Sequence, residues 1–234
     1  MLKKIKTGWK KSSEDLAGTA LFWQRSAAGV ALFSTIQTLL KTYARGKILD
    51  AGAGTLTWKP FITNYAQEYV SIDFAKTHPD LSIVGSIEDM PLPDNNFDTI
   101  VCIQVLEHVP HPWLAMQEFS RVLKPEGTLI LSIPHFSYLH NEPFDFFRYT
   151  NHGLRSLAQD AGLNVISITP IGGLCTFLQH SFATAATGLA YGIPILWPLA
   201  LAVVQATNHL ALELDKLLDA RHLFPLKYAM VAKK

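Results

Sequence analysis

Residues 48–54, Ile-Leu-Asp-Ala-Gly-Ala-Gly, end a short apolar run in a turn that contains two glycines. The run predicts a buried strand, and Gly52 and Gly54 let the backbone turn sharply and approach a ligand closely. In doubly wound sheets, cofactors bind at this carboxyl end of the strands. A dinucleotide fingerprint would need a third glycine at position 57, where the chain has Thr57. Asp73, at the end of the next predicted strand, is placed to accept hydrogen bonds from ribose hydroxyls.

Short β-branched runs alternate with helical patterns from residue 47 onward. This alternation predicts crossover connections and a mostly parallel, doubly wound α/β sheet. The predicted strands are 47–51, 69–73, 81–84, 98–103, 127–133 and 163–169, and the predicted helices are 27–44, 58–66, 112–123 and 151–161. Thr150 and Gly162 are the expected cap and terminator of the last helix. Near the N-terminus, Ser12 or Ser13 followed by two acids predicts another helix start.

The composition narrows the function classes. The chain has 234 residues, of which 49% are hydrophobic and 17% are charged, so it can bury a sizeable core and is not disordered. A net charge of +1 gives no basic field for a nucleic-acid binder. Cys102 and Cys175 lie far apart without a Cys-x-x-Cys pair, so we expect neither a disulfide scaffold nor a zinc site. A reducing, cytoplasmic location is expected.

No charged residue occurs between Asp160 and Glu213. The apolar run 182–204 is long enough for a membrane span, but a glycine and two prolines interrupt it, which predicts two helices near 174–191 and 198–219. The C-terminal residues read as a last strand, and a single membrane crossing would leave that strand on the wrong side of the membrane from the sheet. Three interpretations stay open: a lid, a homodimer interface, or a patch that contacts lipid beside the basic N-terminal arm.

Several motifs in order carry a resemblance to a known family. They are LDAGAG at 49–54, SIDF at 71–74, VGSIEDMPLPDNNFDTIVCIQVLEHV at 84–109 and RVLKPEGTLILSIP at 121–134. Together they resemble the class I S-adenosylmethionine-dependent methyltransferases, specifically the type 11 methyltransferase domain, over roughly residues 44–170. The resemblance implies a seven-stranded Rossmann-like sheet, an antiparallel last strand, methyltransferase activity, and S-adenosyl-L-methionine as the cofactor.

The resemblance also implies which residues hold that cofactor. Gly52 and Gly54 would face its methionine end, Asp73 its ribose, and Gln104 its methyl donor. Ser86 replaces the acid that commonly contacts adenine, and Glu88 or Asp89 could compensate. Leu56 replaces a third glycine found in many relatives. The full predicted cofactor set is Asp50, Gly52, Ala53, Gly54, Asp73, Phe74, Ser86, Ile87, Glu88 and Gln104.

Candidate bases follow the fourth and fifth predicted strands, where the methyl acceptor should lie. A general base is needed only when the acceptor arrives protonated. The candidate catalytic residues are His108, His135, His140 and Tyr149. Tyr138 and Arg148 are the candidate substrate-binding residues, and Arg148 could instead pair with Asp145 to hold the loop. No metal-ligand spacing is recognisable, so no metal is expected.

The expected organisation is an N-terminal basic arm with helices (1–46), a cofactor-binding core (47–170), an apolar helical insertion (171–222) and a final strand (223–234). The insertion and the N-terminal helices would build the acceptor pocket. The acceptor is expected to be a small molecule, lipid-like or a lipid-linked sugar, and the protein cytoplasmic with peripheral membrane contact left open. A nicotinamide-dependent oxidoreductase and a non-catalytic binding protein are the alternative functions.

Overall fold

The computed structural model describes residues 1–234 and contains eight α-helices and seven strands. The helices are α1 (Leu2–Leu16), α2 (Ala20–Gln24), α3 (Ala27–Tyr43), α4 (Lys59–Ile62), α5 (Pro112–Val122), α6 (Asn151–Asp160), α7 (Leu174–Ala190) and α8 (Leu196–Leu218). The strands are β1 (Lys47–Ala51), β2 (Glu68–Asp73), β3 (Ile83–Val84), β4 (Phe97–Ile103), β5 (Leu123–Pro134), β6 (Asn164–Ile171) and β7 (Lys227–Lys233). The chain divides into two compact units, residues 1–35 with 170–226 and residues 36–169 with 227–234.

The second unit is built on a seven-stranded sheet with the order β3-β2-β1-β4-β5-β7-β6. Strands β1 to β5 are parallel, while β7 runs antiparallel to β5, with Thr128 opposite Lys233. The predicted fold class, including the antiparallel last strand, is confirmed. Its central strands are apolar on both faces because helices cover a parallel sheet on both sides, and Leu49, Ile100 and Leu131 are completely buried.

The chain order of the strands reverses between β1 and β4, which lie side by side at the centre of the sheet. Ligands of such folds bind at the carboxyl ends of the strands next to this reversal. Those ends carry Ala51 and Asp73 on β1 and β2, and Ile103 and Pro134 on β4 and β5. The fold therefore gathers the segments that follow these residues at one edge of the sheet.

The first unit is helical, and buried amides and carboxylates hold it together instead of ion pairs. Gln179 on α7 accepts a hydrogen bond from Ala27 N–H (2.8 Å) and donates to Asn208 Oδ1 on α8 (2.8 Å). Asp215 accepts from the N–H groups of Cys175 and Thr176, so it neutralises the positive end of α7. These satisfied polar groups explain how a stretch without charges can still pack in one arrangement.

Two sequence expectations about helix ends need correction. Ser12 and Ser13 do not start a helix, because α1 begins at Leu2 and carries the buried Ser12 within it. The predicted helix 58–66 shortens to α4, Lys59–Ile62. Thr150 does cap α6, accepting a hydrogen bond from Gly153 N–H (3.1 Å).

No helix of the structure has both the length and the apolar character required to cross a membrane. The apolar run is divided instead between α7 and α8, with Gly192 in a left-handed conformation (φ +81°) in the link.

Candidate functional site

The turn after β1 is a tight loop that only glycine permits at its first position. Gly52 has φ +76°, and a side chain there would collide with Val105. Its N–H and that of Ala53 both donate to Ile72 O on β2, at 2.9 and 3.1 Å. Leu56 follows at φ +61°, a conformation that is costly for a branched residue, and its side chain is buried. The loop is therefore fixed in place against the second strand.

Asp73 lies at the end of β2, next to this turn. Its carboxylate is buried, and one oxygen, Oδ2, accepts a hydrogen bond from Gly54 N–H (2.8 Å). The other, Oδ1, has only a long contact with Ala75 N–H (3.4 Å). Phe74, the next residue, is 75% exposed. A buried acceptor with one oxygen still available stands beside an exposed aromatic ring, a pairing suited to a nucleoside.

Asp50 differs from Asp73 in that its carboxyl group is hydrogen-bonded to the side chain of a neighbouring strand. It is buried within β1 and accepts a hydrogen bond from Tyr69 O–H (2.7 Å). Burial raises the pKa of Asp50 from 3.8 to about 7, in spite of the hydrogen bond from Tyr69, and the nearby charge of Asp73 adds to the rise. The structure thus joins Asp50 to a neighbouring strand, although its predicted cofactor contact is untested.

The segment 86–89 folds into a turn that its own side chains stabilise. Ser86 Oγ accepts a hydrogen bond from Glu88 N–H (3.1 Å), and Glu88 Oε1 accepts from His111 N–H (2.9 Å). Ile87 is buried in the core. The Glu88 carboxylate is therefore already hydrogen-bonded to His111, and the Ser86 hydroxyl stabilises the turn.

Gln104 follows β4 with φ +56° and its N–H donates to Ser132 O on β5 (2.8 Å). Its side-chain Oε1 accepts a hydrogen bond from Lys227 Nζ at 2.5 Å. Burial lowers the pKa of the Lys227 ammonium, while the carboxylate of Glu107 counteracts this. Gln104 thus connects the end of β4 to the last strand.

A cluster of three candidate ligands or bases forms after β4, at Glu107, His108 and His140. Glu107 is completely buried, and neither of its carboxylate oxygens accepts a hydrogen bond. The Nε2 atoms of His108 and His140 lie 3.7 and 4.0 Å from Glu107 Oε1. Burial raises the pKa of Glu107 and lowers the pKa of both histidines, which favours neutral imidazoles. His108 and His140, predicted independently, are thus brought together by the fold.

The loop that carries His140 is held by an ion pair. Arg148 donates to both carboxylate oxygens of Asp145, at 2.6 and 2.9 Å, and to Tyr138 O at 3.1 Å. The hydrogen bonds from Arg148 lower the pKa of Asp145 to about 2. Asp145 also accepts from His140 N–H (2.8 Å). Of the two roles left open for Arg148, the structure shows the intramolecular pair with Asp145.

His135 and Tyr149 are not part of the Glu107 cluster. His135 Nδ1 lies 2.8 Å from Tyr149 O, and its ring packs against Tyr228 with a centroid distance of 5.5 Å. The Tyr149 hydroxyl donates weakly to Leu106 O (3.5 Å), and burial raises its pKa. Both side chains are engaged with the backbone of the domain, and their catalytic roles remain predictions.

Comparison with known proteins finds relatives for the sheet-containing part of the chain. Residues 49–131 match the family model described as a methyltransferase domain. This part of the chain is similar to S-adenosylmethionine-dependent methyltransferases. A demethylmenaquinone methyltransferase of Renibacterium salmoninarum is 31% identical over 120 residues, 47% of this chain and 49% of that protein. An uncharacterised protein of Methanocaldococcus jannaschii is 34% identical over 128 residues, 50% of this chain and 55% of that protein.

The match therefore spans about half the length of these curated relatives. A solved S-adenosylmethionine-dependent methyltransferase of Archaeoglobus fulgidus shares the fold, with a TM-score of 0.57 and 14% identity. That likeness covers 89% of this chain and 95% of the other.

The solved Archaeoglobus fulgidus protein is named as dependent on S-adenosylmethionine, and the strand ends described above suit a ligand of that kind. The glycine turn leaves room for close backbone approach, Asp73 offers one available carboxylate oxygen, and Phe74 offers an exposed ring. The individual cofactor contacts remain predictions.

Sequence reasoning missed three charged residues of the site, namely Glu107, Asp145 as a partner of His140, and Lys227. Glu107 had a signal, since it adjoins His108 in the string VLEHV. Asp145 was noticed only as a partner for Arg148. No feature of the sequence pointed to Lys227, because a lysine at the first position of a strand is ordinarily exposed to solvent.

Proposed function

We propose that the chain transfers a methyl group from S-adenosylmethionine to an acceptor by in-line displacement. The observation that carries the proposal is the placement of Asp73 beside the Gly52–Gly54 turn, with one carboxylate oxygen held by Gly54 N–H and the other available to ribose hydroxyls. The family match of residues 49–131 supports the same reaction. S-adenosylmethionine supplies a methyl group on a sulfonium, which needs no triad of catalytic side chains.

The contribution of the chain to such a reaction is alignment and exclusion of water, which together can lower the barrier by roughly 7–11 kcal/mol. Asp73 and the turn would hold the nucleoside at the ends of β1 and β2. The loop stapled by Arg148 and Asp145 would set the position of His140 relative to Glu107. These residues orient the reactants, and none forms a covalent bond with the methyl group.

Calorimetric titration with S-adenosylmethionine, S-adenosylhomocysteine and NADH tests the proposal. We expect micromolar binding of the two sulfur compounds and none of NADH. Asp73→Ala removes two hydrogen bonds to a charged group, each worth about 1.5–3 kcal/mol, so affinity should fall at least hundredfold while the melting temperature stays near that of the wild type. Exclusive NADH binding would support the oxidoreductase alternative. Binding of none of the three would support a non-catalytic protein.

For the acceptor, we propose a lipid-like molecule or a lipid-linked sugar. Between α7 and α8 an apolar groove of about 330 Å³ is lined by Phe182, Ala186, Leu189, Ala190, Leu196, Leu199, Ala200 and Val203. Lys3, Lys4 and Lys11 of α1 line a neighbouring cleft, against Gly188 and Tyr191. Both clefts border the last turn of α7, so an apolar surface stands next to a cationic one. This combination favours an anionic bilayer surface that presents such an acceptor.

Flotation with vesicles of phosphatidylcholine, with and without phosphatidylglycerol, tests the membrane contact. Binding should need the anionic lipid, and Leu199→Ser with Val203→Ser should abolish it. Leu114→Ser, a change at an exposed leucine on α5, serves as the control. A chain that fails to float but sediments as a dimer would show that a second copy covers the groove.

A further inference from the structure

When Glu107 is ionised, the side chains of Glu107, His108 and His140 present three hydrogen-bond acceptors to one another with no donor between them. His108 Nδ1 lies 2.5 Å from Phe144 O, and His140 Nδ1 lies 3.1 Å from Tyr138 O. A carbonyl oxygen can only accept, so the Nδ1 atom of His108 carries the proton and its Nε2 keeps a lone pair. For His140, the contact of Nδ1 with Tyr138 O at 3.1 Å is shorter than its contact with Arg148 Nη2 at 3.4 Å, and it favours the same tautomer. Both lone-pair nitrogens lie within 4.0 Å of the buried Glu107 Oε1.

Such an arrangement is unfavourable unless a cation or a donor completes it, because a buried carboxylate without partners is costly. Histidines that bind metals almost always donate their other N–H to a carbonyl or carboxylate, as both do here. The three candidate ligand atoms all lie within 4.8 Å of one another. Ligands at about 2.1 Å around a tetrahedral ion stand about 3.4 Å apart, so the histidine–carboxylate distances of 3.7 and 4.0 Å would have to shorten by roughly 0.3–0.6 Å.

We propose that Glu107, His108 and His140 bind one divalent metal ion, whose open positions take a hydroxyl oxygen of the methyl acceptor. Two imidazoles and one carboxylate suit Zn²⁺ or a similar transition metal, and three protein ligands leave room for a substrate. The histidines are 20% and 33% exposed, whereas Glu107 is fully buried, so the site is open on the histidine side. The far separation of His140 from His108 in the chain explains why no ligand spacing was visible.

The surrounding charges select the class of oxygen. Glu107 and Asp145 balance Lys227 and Arg148, all four of which act electrostatically within this region. A divalent ion would leave the cluster positively charged, which favours an ionised hydroxyl over a neutral amine. The acceptor is then an alcohol or phenol.

In the transfer, the hydroxyl proton of the acceptor leaves to solvent and an oxygen lone pair forms the new O–CH₃ bond. The sulfur of S-adenosylmethionine keeps the electron pair of the broken C–S bond. This assignment of the acceptor rests on the proposed function, whereas the metal site does not.

Calorimetry with ZnCl₂ on the chelator-treated, dialysed protein tests the site without any methyl acceptor, and MgCl₂ is run in parallel. We expect one equivalent of Zn²⁺ to bind and to raise the melting temperature. His140→Ala and Glu107→Gln should each weaken binding at least hundredfold. Replacement of Zn²⁺ by Co²⁺ should give visible absorption bands in the wild type that His140→Ala loses.

His111→Ala is the matched control, because His111 Nδ1 lies 2.9 Å from Glu88 Oε1 and forms another histidine–carboxylate pair. Its Zn²⁺ affinity should equal that of the wild type. The proposal is overturned if no equivalent of Zn²⁺ binds, or if His111→Ala loses the ion while His140→Ala retains it. His108→Ala provides the second test should Glu107→Gln fail to fold. S-adenosylmethionine binding, measured on the same samples, distinguishes failure of the metal site from failure of the proposed function.

Discussion

Asp50 makes the stability of the chain depend on pH in a way that one substitution should remove. Its carboxyl is buried beside Tyr69, and burial raises its pKa from 3.8 to about 7. Between these values the folded state holds one proton more than the unfolded state, so the free energy of unfolding falls as the pH rises. One pH unit corresponds to about 1.4 kcal/mol, so about 3 kcal/mol should be lost between pH 5 and pH 7.

Asp50→Asn keeps the shape and can still accept the hydrogen bond from Tyr69, but it does not titrate. Urea unfolding of both proteins from pH 5 to pH 8 should show the variant gaining about 3 kcal/mol relative to the wild type, mostly below pH 7. Glu118→Gln is the control, since hydrogen bonds from Arg121 lower the pKa of Glu118 and its charge is constant in this range. A stability difference between Asp50→Asn and wild type that stays flat with pH would refute the reasoning.

Three further changes have definite expected results. Gly52→Ala should abolish S-adenosylmethionine binding in calorimetry and lower stability by about 1–3 kcal/mol, because the added methyl meets Val105 at a positive φ. Arg148→Lys loses the two-point contact with Asp145 and should cost about 1–3 kcal/mol in urea unfolding, with unchanged cofactor affinity. Gln179→Leu should cost about 2–4 kcal/mol, because it leaves buried groups unpaired on two helices, α3 and α8, and thermal melting would detect it.

The strands of the sheet could be predicted from the sequence, because a strand buried on both faces must be apolar along its length. The turn after the first strand could also be predicted, because its backbone conformation requires glycine. The run at 48–54 and the strand end at Asp73 were correctly expected to lie side by side at the carboxyl edge of the sheet. Helix starts were less predictable. Ser12 and the acids after it have the sequence of an N-cap, but continued helix through Leu2–Leu16 lets Gly8 pack closely on Gly188 of α7. Tertiary contact between two helices outweighed a local preference.

The shape of the glycine turn and the position of Asp73 at a strand end could be predicted from the sequence, whereas the pairing of side chains within the loops could not. Ser86 and Glu88 complete a turn and engage His111, which the sequence did not predict, and their contact with the cofactor stays a prediction. A short polar side chain two residues from a free N–H has a local partner available, and sequence alone does not tell which partner it takes.

The Glu107 cluster shows why the chemistry of a site is harder to predict than its place. Sequence reasoning found His108 and His140 as separate proton acceptors, and it treated Glu107 as a neighbour. The two imidazole rings turn their Nε2 atoms toward Glu107, because their Nδ1 atoms contact the main-chain carbonyls of Phe144 and Tyr138. Main-chain carbonyls leave no mark in a sequence, since every residue has one. The convergence of lone pairs on a buried carboxylate becomes visible only once the loop is folded, and it is the strongest reason to test for a bound metal ion.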